Sequence, residues 1–113
     1  MPRDGTFLGA LFESLCALSL RVFAQHCEAS VWHMRVDNGR HEVDFVVERD
    51  DGLVVAIEAK LSSTVTDRDV RHLLWLREKI GKQLGDAVVL TTGERAYRRA
   101  DGVAVVPLAL LGP

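Results

Sequence analysis

The sequence predicts one α/β domain spanning residues 1–113, a mixed sheet layered with helices. Three observations carry that prediction. An apolar-periodic run opens the chain behind Thr6, a residue suited to capping a helix. Three β-branched apolar stretches follow at short spacing. A second helical pattern then separates these from two more strand-like runs. The order helix, three strands, helix, two strands suits helices packed on a mixed sheet.

The first helix is expected from about Phe7 to Gln25. Leu8, Leu11, Phe12, Leu15, Leu18, Val22 and Phe23 give it a broad apolar face, and Ser14, Arg21 and Gln25 cluster on a polar side. Glu13 lies apart from that polar cluster, among Gly9, Cys16, Ala17, Leu20 and Ala24. An acid among small residues fits a place where the helix approaches another element closely. A charge buried there needs a partner or a metal. The alternative is a boundary glutamate reaching solvent.

A short strand, Ser30–Arg35, leads to Asp37-Asn38-Gly39, a hairpin signal. The next two strands are His41–Glu48 and Leu53–Lys60. Arg49-Asp50-Asp51-Gly52 joins them as a type I turn closed by a glycine with positive φ. After the Ser62-Ser63-Thr64 loop, Thr66 caps the second helix, with Asp67 and Asp69 in its first turn. Val70, Leu73, Leu74, Arg77 and Ile80 mark the face of that helix, and Gly81 stops it. Asp86–Thr92 reads as a buried strand, Glu94–Asp101 as a polar connection, and Val103–Val106 as a last short strand. Pro107 and an apolar end, Leu108–Leu111, complete the chain.

Composition excludes several classes. A net charge of −2 gives no global basic signature for nucleic acid. Residues 68–99, however, carry 8 basic and 4 acidic side chains, so a local positive surface is expected beside the acidic N-terminal part. Cys16 and Cys27 lack both zinc spacing and a disulfide framework, and read as thiols of a reducing cytoplasm. No signal peptide is evident, and no run of about 20 apolar residues is seen that would span a membrane. His26, His33, His41 and His72 form no metal-spaced pair, and His41 is expected on the sheet face away from Asp44. Trp32 and Trp75 read as packing residues. Arg68, Arg71, Arg77, Lys79 and Lys82 read as a solvated face of the second helix.

The turn sets the register of the central hairpin. It pairs Arg49 with Leu53, so Asp44 falls opposite Glu58 and Glu42 opposite Lys60. Alternation then puts Glu42, Asp44, Glu58 and Lys60 on one face. Opposed carboxylates about 5 Å apart repel by about 3 kcal/mol at an effective dielectric near 20. A divalent cation, a raised carboxyl pKa or the Lys60 ammonium would offset that repulsion. Otherwise the face is exposed and Lys60 neutralises Glu42.

The helix acid Glu13, then Asp44, then Glu58-Ala59-Lys60 across a hairpin resembles the PD-(D/E)xK nuclease superfamily. The runs Gly5-Thr6-Phe7-Leu8-Gly9-Ala10-Leu11-Phe12-Glu13, Glu42-Val43-Asp44-Phe45 and Val106-Pro107-Leu108 are more narrowly similar to the C-terminal domain of bacterial and archaeal AAA-type ATPases. The resemblance covers nearly the whole chain and implies a restriction-endonuclease-like α-β-β-β-α-β core. It implies that Glu13, Asp44 and Glu58 bind Mg²⁺ or Mn²⁺. Asp44, Glu58 and Lys60 are then the catalytic set, with Lys60 orienting water and countering phosphorane charge. Val43 stands where the signature has proline. No G-x-x-x-x-G-K-[ST] run occurs, so an ATPase part is not within these residues. The implied partners are DNA, an ATPase domain or another protein, with a homodimer admitted and no membrane. The alternative function is a non-catalytic interaction or oligomerisation domain of such an ATPase.

Overall fold

The computed structural model describes residues 7–111. Thr6, expected as the first helix cap, lies outside them. Helix α1 runs Phe7–His26, followed by strands β1 Ser30–Val36, β2 His41–Glu48 and β3 Val54–Lys60. A 3₁₀ turn at Asp67–Val70 leads into α2, Arg71–Ile80, and then come β4 Leu84–Thr91, β5 Tyr97–Arg98 and β6 Ala104–Pro107. The sheet order is β1-β2-β3-β4-β6-β5. Pairing is antiparallel for β1–β2, β2–β3 and β5–β6, and parallel for β3–β4 and β4–β6. The expected mixed sheet is therefore present, with α2 as the crossover between the parallel neighbours β3 and β4.

The expected hairpin register holds. Arg49 N–H donates to the Leu53 carbonyl at 3.0 Å, and Gly52 N–H to the Arg49 carbonyl at 3.0 Å. Gly52 sits at φ +88°, the left-handed region in which glycine meets no Cβ penalty. The ladder then runs from Glu48 opposite Val54 to Phe45 opposite Ile57.

Two cores cover the two sheet faces. Against α1, Phe12, Cys16 and Leu20 pack on Phe45, Ile57 and Leu90. Against α2, Leu73, Leu76 and Val70 pack on Val46, Val89 and Val105. Period-2 alternation along the strands separates the sets, since Val46 lies between Phe45 and Val47, and Val89 precedes Leu90.

Two expectations change here. The polar connection Glu94–Asp101 contains β5, a two-residue edge strand. Arg98 and Arg99 hold it in place. Arg98 pairs in a bidentate manner with Asp86 at 2.9 and 3.1 Å. Arg99 donates to the Val65 carbonyl at 3.0 Å and to Asp101 at 3.2 Å, and pairs with Asp67. These contacts, rather than β propensity, order the segment.

The second change concerns α1. Its small-residue side, Gly9, Cys16, Leu20 and Ala24 with Phe12, is buried, while Leu8, Leu11, Leu15, Leu18 and Val22 face outward. Both sides are apolar, so periodicity could not choose between them. Close approach to the sheet favours the side with the smaller residues. For the same reason α1 is, contrary to expectation, long and apolar enough to cross a membrane by length and composition, with a mean hydropathy of 1.6.

Leu73 is fully buried beneath α2. Leu73→Ala should destabilise the fold by about 2–5 kcal/mol, read as a lowered midpoint in chemical denaturation with an unchanged slope.

Candidate functional site

The β2–β3 ladder stops at Phe45–Ile57, and the next pair in register is Asp44 opposite Glu58. There the side chains replace the backbone as cross-strand acceptors. Asp44 N–H donates to Glu58 Oε1 at 3.3 Å, and Ala59 N–H donates to Asp44 Oδ2 at 2.9 Å. Each acid is thus tied to the other's strand by a hydrogen bond from a backbone N–H. Both side chains are buried, Asp44 at 3% exposure and Glu58 at 2%. The sequence therefore placed the acids correctly on adjacent strands. The alternative of an exposed sheet face does not hold for this pair.

A bulge in β2 redirects Asp44. Trp32 pairs with Val46 but Met34 pairs with Val43, so Asp44 and Phe45 together oppose the single residue His33. Such a bulge breaks alternation and re-aims side chains. Val43 and Val46, three residues apart, consequently pack in the same α2-side core. Asp44 joins Phe45, Glu13, Ala17, Arg21, His33, Arg35 and Glu42 around a groove of about 690 Å³ beside α1. His33 Nδ1 lies 3.2 Å from the Asp44 carbonyl and its Nε2 lies 3.2 Å from Glu42. The imidazole therefore bridges the bulge and the groove rim.

Glu13 shares this groove with Asp44, as the small-residue setting of the helix acid suggested. Cys16, one turn along α1, registers the charge of both acids. Burial first, then the Asp44 and Glu13 carboxylates, push its thiol up to about 12. His41 stacks on Trp75 at 3.9 Å between ring centroids and lies edge-on to His72 at 5.7 Å. It packs with α2-side residues and away from the Asp44 groove, as expected.

Lys60 opens into a neighbouring cleft of about 630 Å³ with Arg40, Arg68, Asp69, Arg71 and His72. Glu42 lines both that cleft and the groove. Lys60 Nζ donates to Asp69 Oδ1 at 2.7 Å. Asp69 also accepts from the Thr66 N–H at 2.8 Å and the Thr66 hydroxyl at 3.0 Å. Burial would raise the Asp69 carboxyl, but the Lys60 and Thr66 donors outweigh it and hold it below the usual carboxylate range. The single-face grouping of Glu42, Asp44, Glu58 and Lys60 is thus loosened. Glu13 and Asp44 share one groove, Glu58 abuts Asp44, and Lys60 stands in the adjoining cleft with Asp69.

Sequence reasoning missed His33 and the role of Asp69. Nothing local marks a bulge opposite His33. Asp69 was visible only as a helix-start acid, and its Lys60 bond depends on how the crossover folds back over β3. Of the basic residues expected on a solvated face, Arg77 donates to the Asp101 carbonyl at 2.5 Å and Arg71 to the Arg68 carbonyl at 3.0 Å.

Glu13, Asp44 and Glu58 offer only hard oxygen donors, the chemistry Mg²⁺ prefers. Among the described residues, no three His, Cys, Asp or Glu side chains already converge as a metal cage. The donors fit such a cation in kind.

Two measurements follow. The native state holds the Cys16 proton more tightly than the unfolded chain, with its ordinary value near 9.0. Stability should therefore be full below about pH 9 and fall as pH rises towards 12. In Cys16→Ala this alkaline decline should flatten, and native thiol titration of the parent should count only the exposed Cys27. For Asp69 the sign is opposite. Its stabilising contribution is present above about pH 4 and is lost as pH falls. Asp69→Asn should lose about 1 kcal/mol at pH 7, with the gap to the parent closing in acid.

Comparison with curated proteins and with solved structures finds no match for this chain. Residues 8–111 match the family described as "Domain of unknown function (DUF4143)", a domain found in AAA-ATPase-associated proteins. That match spans nearly the whole chain, which therefore belongs to the DUF4143 family.

Proposed function

We propose that this domain is a metal-dependent phosphodiesterase of the PD-(D/E)xK kind, built on a restriction-endonuclease-like core and acting on DNA. The observation that carries the reading is the Asp44–Glu58 exchange. Two acids are buried side by side at the open end of a hairpin, next to a groove that also holds a helix acid. Such a juxtaposition is unfavourable for stability alone. Its retention fits a site where the negative charge has a use.

Glu13, Asp44 and Glu58 would hold the Mg²⁺ or Mn²⁺. When bound, the cation supplies a hydroxide at neutral pH and relief of phosphorane charge. The chain supplies the rest. The backbone hydrogen bonds of Asp44 and Glu58 fix their carboxylates against rotation, so the donors are preorganised. Lys60 brings an ammonium to the edge of the site, where it counters charge that grows in the transition state. Asp69 positions that ammonium at rest. Arg68 and Arg71, in the cleft beside Lys60, suit contact with flanking phosphates.

The test is cleavage of single-stranded, duplex and branched DNA with and without Mg²⁺ or Mn²⁺, alongside melting curves. Cleavage should require the metal, and Lys60→Ala should lower turnover by about 10²–10³-fold while leaving the melting temperature near the parent's. Asp44→Asn should abolish the metal-induced rise in melting temperature, since a ligand bound only by the native state stabilises it. Parent protein that neither cuts any substrate nor shifts with metal would move the assignment to a non-catalytic interaction domain.

A further inference from the structure

The outward face of α1 departs from the rule for surface helices, which place charged residues towards water. Leu8, Leu11, Leu15, Leu18 and Val22 lie there at intervals of three, four, three and four residues. All five are exposed, from 44% at Val22 to 62% at Leu8, and Phe7 extends the strip at 80%. The spacing is that of a two-helix seam, in which each apolar residue seats between four on a facing helix. Together these side chains expose on the order of 700 Å² of surface, beyond an ordinary monomer's largest patch and near the ~800 Å² per partner of a standard interface.

We infer that this seam is the interface of a homodimer, with α1 packed antiparallel on α1 of a second copy. Two features select a second copy over other occupants, and the polar borders set its orientation. The strip is apolar along its length, so it complements itself, as a two-fold contact requires. Its polar borders are Ser14, Ser19, Arg21 and Gln25, which hold a single charged residue. A parallel pair would bring the two Arg21 side chains to the same level. An antiparallel pair sends them to opposite ends and also opposes the helix dipoles favourably. The exposed area matches what a dimer of this size needs.

The two-fold axis then passes beside Leu15. Leu15 meets its own copy, Leu11 meets the partner's Leu18, and Leu8 meets the partner's Val22. Glu13 sits on the inner side of the same helix, so the dimer would hold two grooves in a fixed two-fold relation. The inference does not depend on the phosphodiesterase reading, because no seam residue is placed in that site.

Sedimentation velocity of the full chain should give twice the 12.5 kDa chain mass at micromolar concentration. Leu15→Glu should convert it to monomer, with the melting temperature falling only by the loss of the dimer's concentration dependence. Leu11→Glu with Leu18→Glu provides an independent second variant at exposed positions. In a Cys27→Ser background, Leu15→Cys should form a disulfide-linked dimer under mild oxidation, and Leu8→Cys alone should not. The inference is overturned by a monomeric parent at 100 μM (about 100 times the working range of a stable dimer). It is equally overturned by a dimer indifferent to Leu15→Glu, by efficient crosslinking of Leu8→Cys, or by a monomer that floats with phosphatidylcholine vesicles.

Discussion

The structure depends on one exchange of hydrogen bonds, in which Asp44 and Glu58 accept from each other's strands where the β2–β3 ladder ends. A hairpin can finish by fraying into water. Here it finishes with two buried acids bound to backbone N–H groups. Their burial is tolerable because hydrogen bonds from backbone N–H groups replace part of the lost hydration. The exchange also fixes what surrounds it. The Asp44 and Glu13 charges reach the Cys16 thiol, His33 lies against the Asp44 carbonyl at the bulge, and α1 brings Glu13 to the groove.

That close approach explains the helix's unusual division of labour. A helix nearing a sheet over an acidic cluster gains its close approach where the inward residues are small. Gly9, Cys16 and Ala24 allow the contact beside Phe12 and Leu20, while Leu8, Leu11, Leu15, Leu18 and Val22 face out. One helix thereby serves the groove with its inner side and exposes a self-complementary seam on its outer side. Substitutions on the two sides should be separable, because the inner set alters site geometry and the outer set alters association.

Lys60 shows how the crossover shapes the chemistry. The chain leaves β3 at Lys60 and returns through the 3₁₀ turn at Asp67–Val70 before α2 begins. Thr66 and Asp69 form the start of that turn, and Asp69 reaches back to hold the Lys60 ammonium. A residue suited to starting a helix thus also sets the resting place of the Lys60 ammonium. The cleft around it, with Arg40, Arg68 and Arg71, carries the local positive character foreshadowed by the basic excess of residues 68–99.

The sequence by itself determined the element order apart from β5, the register of the central hairpin and the adjacency of Asp44 to Glu58. All three follow from local rules. β-branched alternation defines the strands, and Gly52 closes a turn that admits only one pairing. Tertiary structure decided the rest. The bulge opposite His33 lies in how β1 and β2 pair, and no residue of either strand announces it. The side of α1 that turns inward was undecidable from a helix apolar all round, until the sheet's need for close approach selected the small residues. The edge strand β5 exists because Arg98 and Arg99 find distant carboxylates. Lys60 parted from Asp44's groove because the bulge broke the alternation from which their common face was read, and because Asp69 came within reach only when the crossover closed.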